Sequence, residues 1–234
     1  GVQASKRNRL EPNETNAVAH RRMNARERLN AVTEEMLKEL QEELDARKED
    51  RSIRAVVLSG AGKAFCAGHD LKQMTAGRQA EDGGKAYFND LFAQCARMML
   101  SIRALPQPVI AAPHGIATAA GCQLVATCDM AIAQSGTRFG VNGVNIGLFC
   151  STPMVALSRN IGRKHAFEML TTGSFIEAER AAELGLINHV SEDAVADALA
   201  LAETVASKLA AAVTIRKEGL YQPAEMSLEE AYTD

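Results

Sequence analysis

Two short runs of small residues, each set between an apolar stretch and a helical pattern, constrain this chain more than anything else in it. The first is Lys63-Ala64-Phe65-Cys66-Ala67-Gly68-His69-Asp70-Leu71. The second follows about fifty residues later as Gly115-Ile116-Ala117-Thr118-Ala119-Ala120-Gly121-Cys122-Gln123-Leu124. Small residues where a strand turns into a helix leave backbone N–H groups free. Two such turns facing each other make a two-donor cradle for a carbonyl oxygen that becomes negative during reaction.

The rest of the chain alternates strand and helix around these turns. Met36, Leu37, Leu40 and Leu44 recur at helical spacing within Thr33–Lys48, with Thr33 as cap and Glu34 and Glu35 at the positive end. Residues 54–59 read as a buried strand ended by Gly60 and Gly62. Phe88, Leu91, Phe92, Cys95 and Met99 mark a long helix that stops before Pro106. Val109–Ala112 is a short strand, Ala120–Cys128 a buried helix, and Met130–Ala133 another strand. From Thr152 onward helices dominate, over Met154–Ile161, Lys164–Leu170, Glu177–Leu184 and Val195–Leu209, with a strand at Ile187–Val190. The alternation predicts an α/β layer arrangement with parallel pairing.

At 234 residues and 47% hydrophobic, the chain can bury the core of one domain, or of one domain with an appended helical piece. With 4% aromatics and no Trp, that core is aliphatic. A net charge of −3 and no basic face interleaved with aromatics argue against nucleic acid as a partner. Five cysteines (Cys66, Cys95, Cys122, Cys128 and Cys150) lack metal-ligand spacing and read as reduced core residues in a reducing compartment. No metal is expected. No apolar run reaches the roughly 18 residues of a membrane span, and no signal-peptide pattern opens the chain. The expected location is cytoplasmic or an organelle matrix such as the mitochondrial one.

The two motifs, in this order and spacing, resemble the crotonase, or enoyl-CoA hydratase/isomerase, superfamily from about Leu29 to Tyr232. In that family they read roughly F-C/A-A-G-x-D-L/I and G-x-A-x-G/A-G-G-C-E/Q-L. The resemblance implies an α/β, crotonase-like ββα spiral core over residues 1–170. It also implies a short C-terminal helical region over 171–234 that serves trimerisation, and a homotrimer or dimer of trimers. Ala-Gly-His-Asp-Leu, Gly-Cys-Gln-Leu and the run Gly143–Pro153 resemble the branch called enoyl-CoA hydratase domain-containing proteins. Two departures stand out. The family carries two strands before Leu29, but Asn16–Arg28 bears charges on both faces and supports at most an unusual edge strand. The family also continues in further helix where this sequence ends.

By the resemblance, the N–H groups of His69 and Ala120 bind the thioester oxygen of an acyl-CoA. Gly68 shapes the first turn, and Gly121 lets the backbone pass close to the ligand. The His69 imidazole is left with three roles: structural or solvent-facing, acid/base, or pocket-shaping. Asp70 most simply fixes its own turn. Hydratases of this family add water with two glutamates. Their positions fall at Gln123, which holds water but accepts no proton, and at Gly143, which has no side chain. Stand-ins are His69, Asn142, Asn145 and Cys150, each otherwise packing or wall; Glu168 and Glu177 read as solvated helix positions. For the coenzyme A moiety, Lys72 reaches the pyrophosphate, Arg28 and Leu29 lie by the adenine, Ala67 offers its carbonyl to the adenine amino group, and Lys63 is a weaker contact. No cofactor beyond coenzyme A as part of the substrate is expected.

Two function classes therefore stay open. One is an enzyme that stabilises a thioester enolate, for hydration or isomerisation (a lyase or isomerase of fatty acid metabolism), with thioester hydrolysis as runner-up. The other is an acyl-CoA-binding carrier that kept the pocket and lost the chemistry.

Overall fold

The computed structural model describes residues 9–146 and 151–224. Two strands open it, β1 (Leu10–Thr15) and β2 (Val18–Met23). They form an antiparallel hairpin whose two turn residues, Asn16 (φ 53°) and Ala17 (φ 64°), both lie in the left-handed region. That is the geometry a two-residue hairpin turn demands. β2 is therefore an interior strand, not the edge strand expected from its charges; β1 covers its edge. The polar and charged residues on both faces find partners across the hairpin and on more distant elements. Arg21 is 3% exposed and pairs with Glu14 at 2.5 Å and with Glu43 at 2.7 Å. His20 Nε2 lies 2.7 Å from Ser59 Oγ, and Arg22 reaches Glu11 in the hairpin partner.

Helix α1 (Glu34–Lys48) follows, with Thr33 Oγ1 accepting the Met36 N–H at 3.0 Å as its N-cap. It buries Met36, Leu37, Leu40 and Leu44, each contributing about 1.5–3 kcal/mol. Strand β3 (Ala55–Gly60) pairs in parallel with β2 and with β4 (Val109–Ala111). Its Val56 and Leu58 enter the main core while Ala55 and Val57 face a second core, so both faces are covered and the run is apolar throughout. β6 (Met130–Gln134) and β9 (His189–Ser191) complete a six-stranded sheet in the order β1-β2-β3-β4-β6-β9, in which only the β1/β2 pair is antiparallel.

A second sheet, β5-β7-β8, is built from Ile116–Thr118, Arg138–Gly140 and Ile176–Glu177. β8 and β9 both lie beyond residue 170, so chain expected to belong to a separate helical region joins both sheets. On one side of the large sheet pack α1 and α3 (Lys85–Ala104); α2 (Leu71–Gly77) and α4 (Ala120–Thr127) follow the two motifs. On the other side lies α8 (Ala194–Ala206), whose Ala194, Ala198, Ala202 and Ala206 form a small-residue stripe that lets it approach the strands closely. α5 (Ser151–Ser158), α6 (Arg163–Thr172) and α7 (Ala178–Leu184) connect the sheets. α9 (Ala210–Ala224) ends the described chain. Its Lys217 is 8% exposed and donates to the Ile102 and Gln107 carbonyls and to Asp129.

Candidate active site

The two motifs meet through the backbone. Cys66 and Ala117 form a parallel bridge. The Phe65 N–H donates to the Ile116 carbonyl at 3.0 Å, and the Thr118 N–H to the Cys66 carbonyl at 3.1 Å. Gly68 (φ +86°) then turns directly against the second motif. A Cβ built there would stand 3.0 Å from Ala119 Cβ, 3.2 Å from the Thr118 oxygen and 3.5 Å from the Ala120 nitrogen. Only glycine fits this turn, on grounds of both φ and space.

Ala119 carries the strain on the other side. Its φ of 52° with ψ of −120° is a conformation normally left to glycine. Holding it costs about 1–3 kcal/mol. Its N–H is anchored to the Gly140 carbonyl at 2.9 Å. The next residue, Ala120, begins α4 and is buried; its N–H has no acceptor among the described residues. The His69 N–H likewise donates to none of the described residues. Gly121, which follows Ala120, packs tightly against the first motif. A Cβ there would lie 2.2 Å from the Cys66 carbonyl oxygen, so packing between the motifs already forbids a side chain.

The His69 imidazole is half-buried and lies edge-on to Phe92, with ring centroids 5.3 Å apart. Its Nδ1 is buried without a hydrogen-bond partner of normal geometry. Burial pushes its pKa below the ordinary histidine value, opposed by the Val32 carbonyl, so the ring is neutral at pH 7. Phe92 stacks on Phe88, and Tyr87 adds an edge contact, giving α3 an aromatic row beside the first motif. In the sequence Phe88 and Phe92 read only as helix markers, and Tyr87 carried no signal.

Asp70 fixes its turn. Its Oδ1 accepts the Gln73 N–H at 3.0 Å as the cap of α2, and its Oδ2 lies 3.3 Å from Arg28 Nη1. Arg28 and Leu29 are thus drawn to the first motif, and the Leu29 carbonyl accepts the Ala67 N–H at 3.1 Å. The Ala67 carbonyl accepts no donor among the described residues. Lys63 and Lys72 are exposed and pair with no carboxylate among them.

Gln123 is 6% exposed, and its Oε1 lies 3.4 Å from Thr152 Oγ1. Gly143 is buried in a 3-10 turn at Asn142–Ile146. Asn142 Oδ1 accepts from Thr118 Oγ1 at 2.8 Å, a tie between the second motif and this turn that the sequence did not reveal. Asn145 goes elsewhere. It is exposed, and its Nδ2 points to the Gly173 carbonyl at the end of α6, at 3.5 Å, which makes it a brace for that helix. Cys150 lies outside the described residues. Glu168 and Glu177 are exposed. Cys66, Cys95, Cys122 and Cys128 are free and buried. Burial pushes the Cys66 thiol up to about 11 and the Cys95 and Cys122 thiols up to about 12, so they stay protonated and inert. Among the described residues, no group of three or more His, Cys, Asp or Glu is placed to hold a metal, and no single helix is long and apolar enough to cross a membrane.

The site is thus a parallel-bridged pair of small-residue turns, each with an amide that donates to none of the described residues, beside a half-buried aromatic wall. The chain belongs to the enoyl-CoA hydratase/isomerase family, whose pattern matches residues 13–234. It is 40% identical over 207 residues to the rat mitochondrial enoyl-CoA hydratase domain-containing protein 3, covering 88% of this chain and 67% of that protein. Among solved structures it resembles an enoyl-CoA hydratase of Mycobacterium smegmatis, with a TM-score of 0.90 and 49% identity over 96% of this chain and 87% of the other. It also resembles human enoyl coenzyme A hydratase domain-containing protein 3, with a TM-score of 0.89 and 35% identity over 96% and 88% of the two chains. The fold is thus the crotonase fold expected from the two motifs.

Proposed function

We propose that this chain handles acyl-CoA thioesters, holding the thioester oxygen between the N–H groups of His69 and Ala120 and stabilising the enolate that forms there. The observation that carries this reading is the contact between the turns: Gly68 packs on the Ala120 amide, and a parallel bridge locks Cys66 to Ala117. The buried Ala120 amide at the start of α4 and the His69 amide just ahead of the α2 cap are fixed donors that stabilise developing negative charge without reorganising. Asp70, holding both Arg28 and the start of α2, sets the rim. Exposed Lys72, with Lys63 as a weaker contact, supplies positive charge for the coenzyme A phosphates; Arg28 and Leu29 lie by the adenine, whose amino group meets the Ala67 carbonyl, an acceptor unused among the described residues. The reaction class is hydration or double-bond isomerisation. The working particle is a homotrimer or dimer of trimers in the cytosol or an organelle matrix, as the family resemblance implies.

A second reading is favoured by Gln123 and Gly143. Neither supplies or accepts a proton, and general acid–base help is worth roughly 10²–10⁴-fold in rate. An acyl-CoA-binding protein with little hydratase turnover, or one directing the enolate to thioester hydrolysis, fits these two positions better.

Crotonyl-CoA at high protein concentration separates the readings. Loss of the conjugated enoyl absorbance marks hydration, and release of free thiol marks hydrolysis. Tight binding with neither supports the carrier. The variant Ala120→Pro removes the amide in question; because proline also restricts Ala119, circular dichroism first establishes the folded fraction. Per folded molecule it should lower any turnover roughly 10²–10³-fold. Full turnover in a folded Ala120→Pro protein would sink the assignment.

A further inference from the structure

Aromatic side chains are scarce in this protein, with seven Phe, three Tyr and no Trp. Three of them, Tyr87, Phe88 and Phe92, nevertheless fall within one short stretch of α3, and there they meet His69. The row begins at the cradle itself. His69 carries one of the two unbonded amides, and its own ring stands edge-on to Phe92 at 5.3 Å and 66°. Phe92 stacks on Phe88 at 6.1 Å with the planes 18° apart, and Phe88 meets Tyr87 edge-on at 5.4 Å. The far end is closed. A Cβ built on Gly77, the last residue of α2, would stand 2.3 Å from the Tyr87 ring, and the Arg78 guanidinium sits 5.8 Å over Phe88.

Tyr87 and Phe88 pack against the main core, so burial accounts for them. It does not account for Phe92, which is 39% exposed although its neighbour in the row is His69. Leu71, two residues past His69, is open as well, at 60%. A single exposed apolar residue needs no explanation, but a ring left open at the end of a row that starts on a reactive turn offers a face to a ligand.

We propose that this row is the acyl subsite and that it selects a planar, conjugated aryl chain, as in an arylpropenoyl thioester, over an alkyl chain. The inference rests on the acyl-CoA reading. With the thioester oxygen on the His69 amide, the acyl group leaves alongside that residue and meets the Phe92 ring next. A flat aromatic ring extends the stacked and edge-on series of His69, Phe92 and Phe88, whereas an alkyl chain gains burial alone. Gly77 and Arg78 stop the row after three rings, which suits a short rigid acyl group better than a long chain.

The test is difference absorbance and calorimetric titration of the full chain with cinnamoyl-CoA, 3-cyclohexylpropenoyl-CoA, crotonyl-CoA and free coenzyme A. The cyclohexyl thioester is close to the aryl one in size and lacks its π face. The expected result is a red-shifted enoyl band with every thioester, which reports a carbonyl polarised by the cradle. Cinnamoyl-CoA should bind tighter than the cyclohexyl thioester by roughly two- to tenfold. Phe92→Leu, at an exposed position, keeps apolar bulk and should bring that ratio toward one, and Phe92→Tyr should restore it. Red shifts with equal affinity for the aryl and cyclohexyl thioesters, or a preference that survives Phe92→Leu intact, would overturn this inference and leave the acyl-CoA reading standing. No red shift with any thioester, and binding no tighter than that of free coenzyme A, would overturn both.

Discussion

Lys217 Nζ lies 2.8 Å from Asp129 Oδ2, and Tyr221 Oη donates to the other oxygen of the same carboxylate at 2.6 Å. Asp129 also accepts the Val109 N–H at 2.7 Å, so one buried acid pins α9 to the start of β4. Burial lowers the Lys217 pKa, an effect that Asp129 opposes, and burial raises that of the Tyr221 phenol. Lys217→Met should strand the carboxylate and cost about 3–5 kcal/mol. Adding Asp129→Asn to it should restore part of the loss. Denaturant midpoints of the single and double variants measure the coupling directly.

Acid should destabilise the protein below about pH 6.5. Burial depresses the pKa of both His20 and His69, and Arg22 and Arg21 add to the effect at His20. Between each folded value and about 6.5 the unfolded chain binds more protons, so stability rises with pH there and is lost as pH falls. The slope is at most about 1.4 kcal/mol per pH unit for each proton. His20→Gln should flatten it in unfolding curves taken between pH 5 and 8.

Gly121→Ala should be strongly destabilising, because its methyl group would meet the Cys66 carbonyl at 2.2 Å and backbone cannot yield as a side chain does. Overpacking of this kind costs about 1–3 kcal/mol or more. Unfolding measurements should register the full loss, together with weaker acyl-CoA binding as the two turns are pushed apart.

Ala119→Gly should do the reverse. It relieves a backbone conformation at φ 52°, and that gain of about 1–3 kcal/mol exceeds the roughly 0.5–1 kcal/mol of added unfolded-state entropy. Calorimetry should find a higher Tm; a lower one would mean that Ala119 is unstrained.

Gln123→Glu should raise crotonyl-CoA hydration by roughly 10²-fold, since it supplies a proton acceptor at a buried position beside the second turn. Gly143→Glu should not fold well, because that position is buried within a tight turn. Rates at equal folded concentration decide both points.

Much of this was legible in the sequence because the signals were local. The stripe of α1 with its Thr33 cap, the apolar run of β3 and the helix after Ala119 each follow from residues close together in the chain. β5, β7 and β8 escaped notice because β5 lies inside the second motif and the short β7 and β8 carry charged residues, without the apolar run that marked the equally short β4. β2 was misjudged because the partners of Arg21 include Glu43, on a different element. At the site, the turn glycines and Asp70 spoke plainly. The aromatic row, the Thr118–Asn142 tie and the turning away of Asn145 depend on tertiary placement.

Since the amides of residues 69 and 120 belong to the main chain, ordinary point mutation seldom removes them, whereas each carboxylate of a hydratase is one codon change from loss. Descent can therefore discard proton transfer while keeping thioester recognition intact. In genomes, this motif pair marks ancestry and ligand class, and a gene carrying it needs a biochemical assay before it is counted as a hydratase.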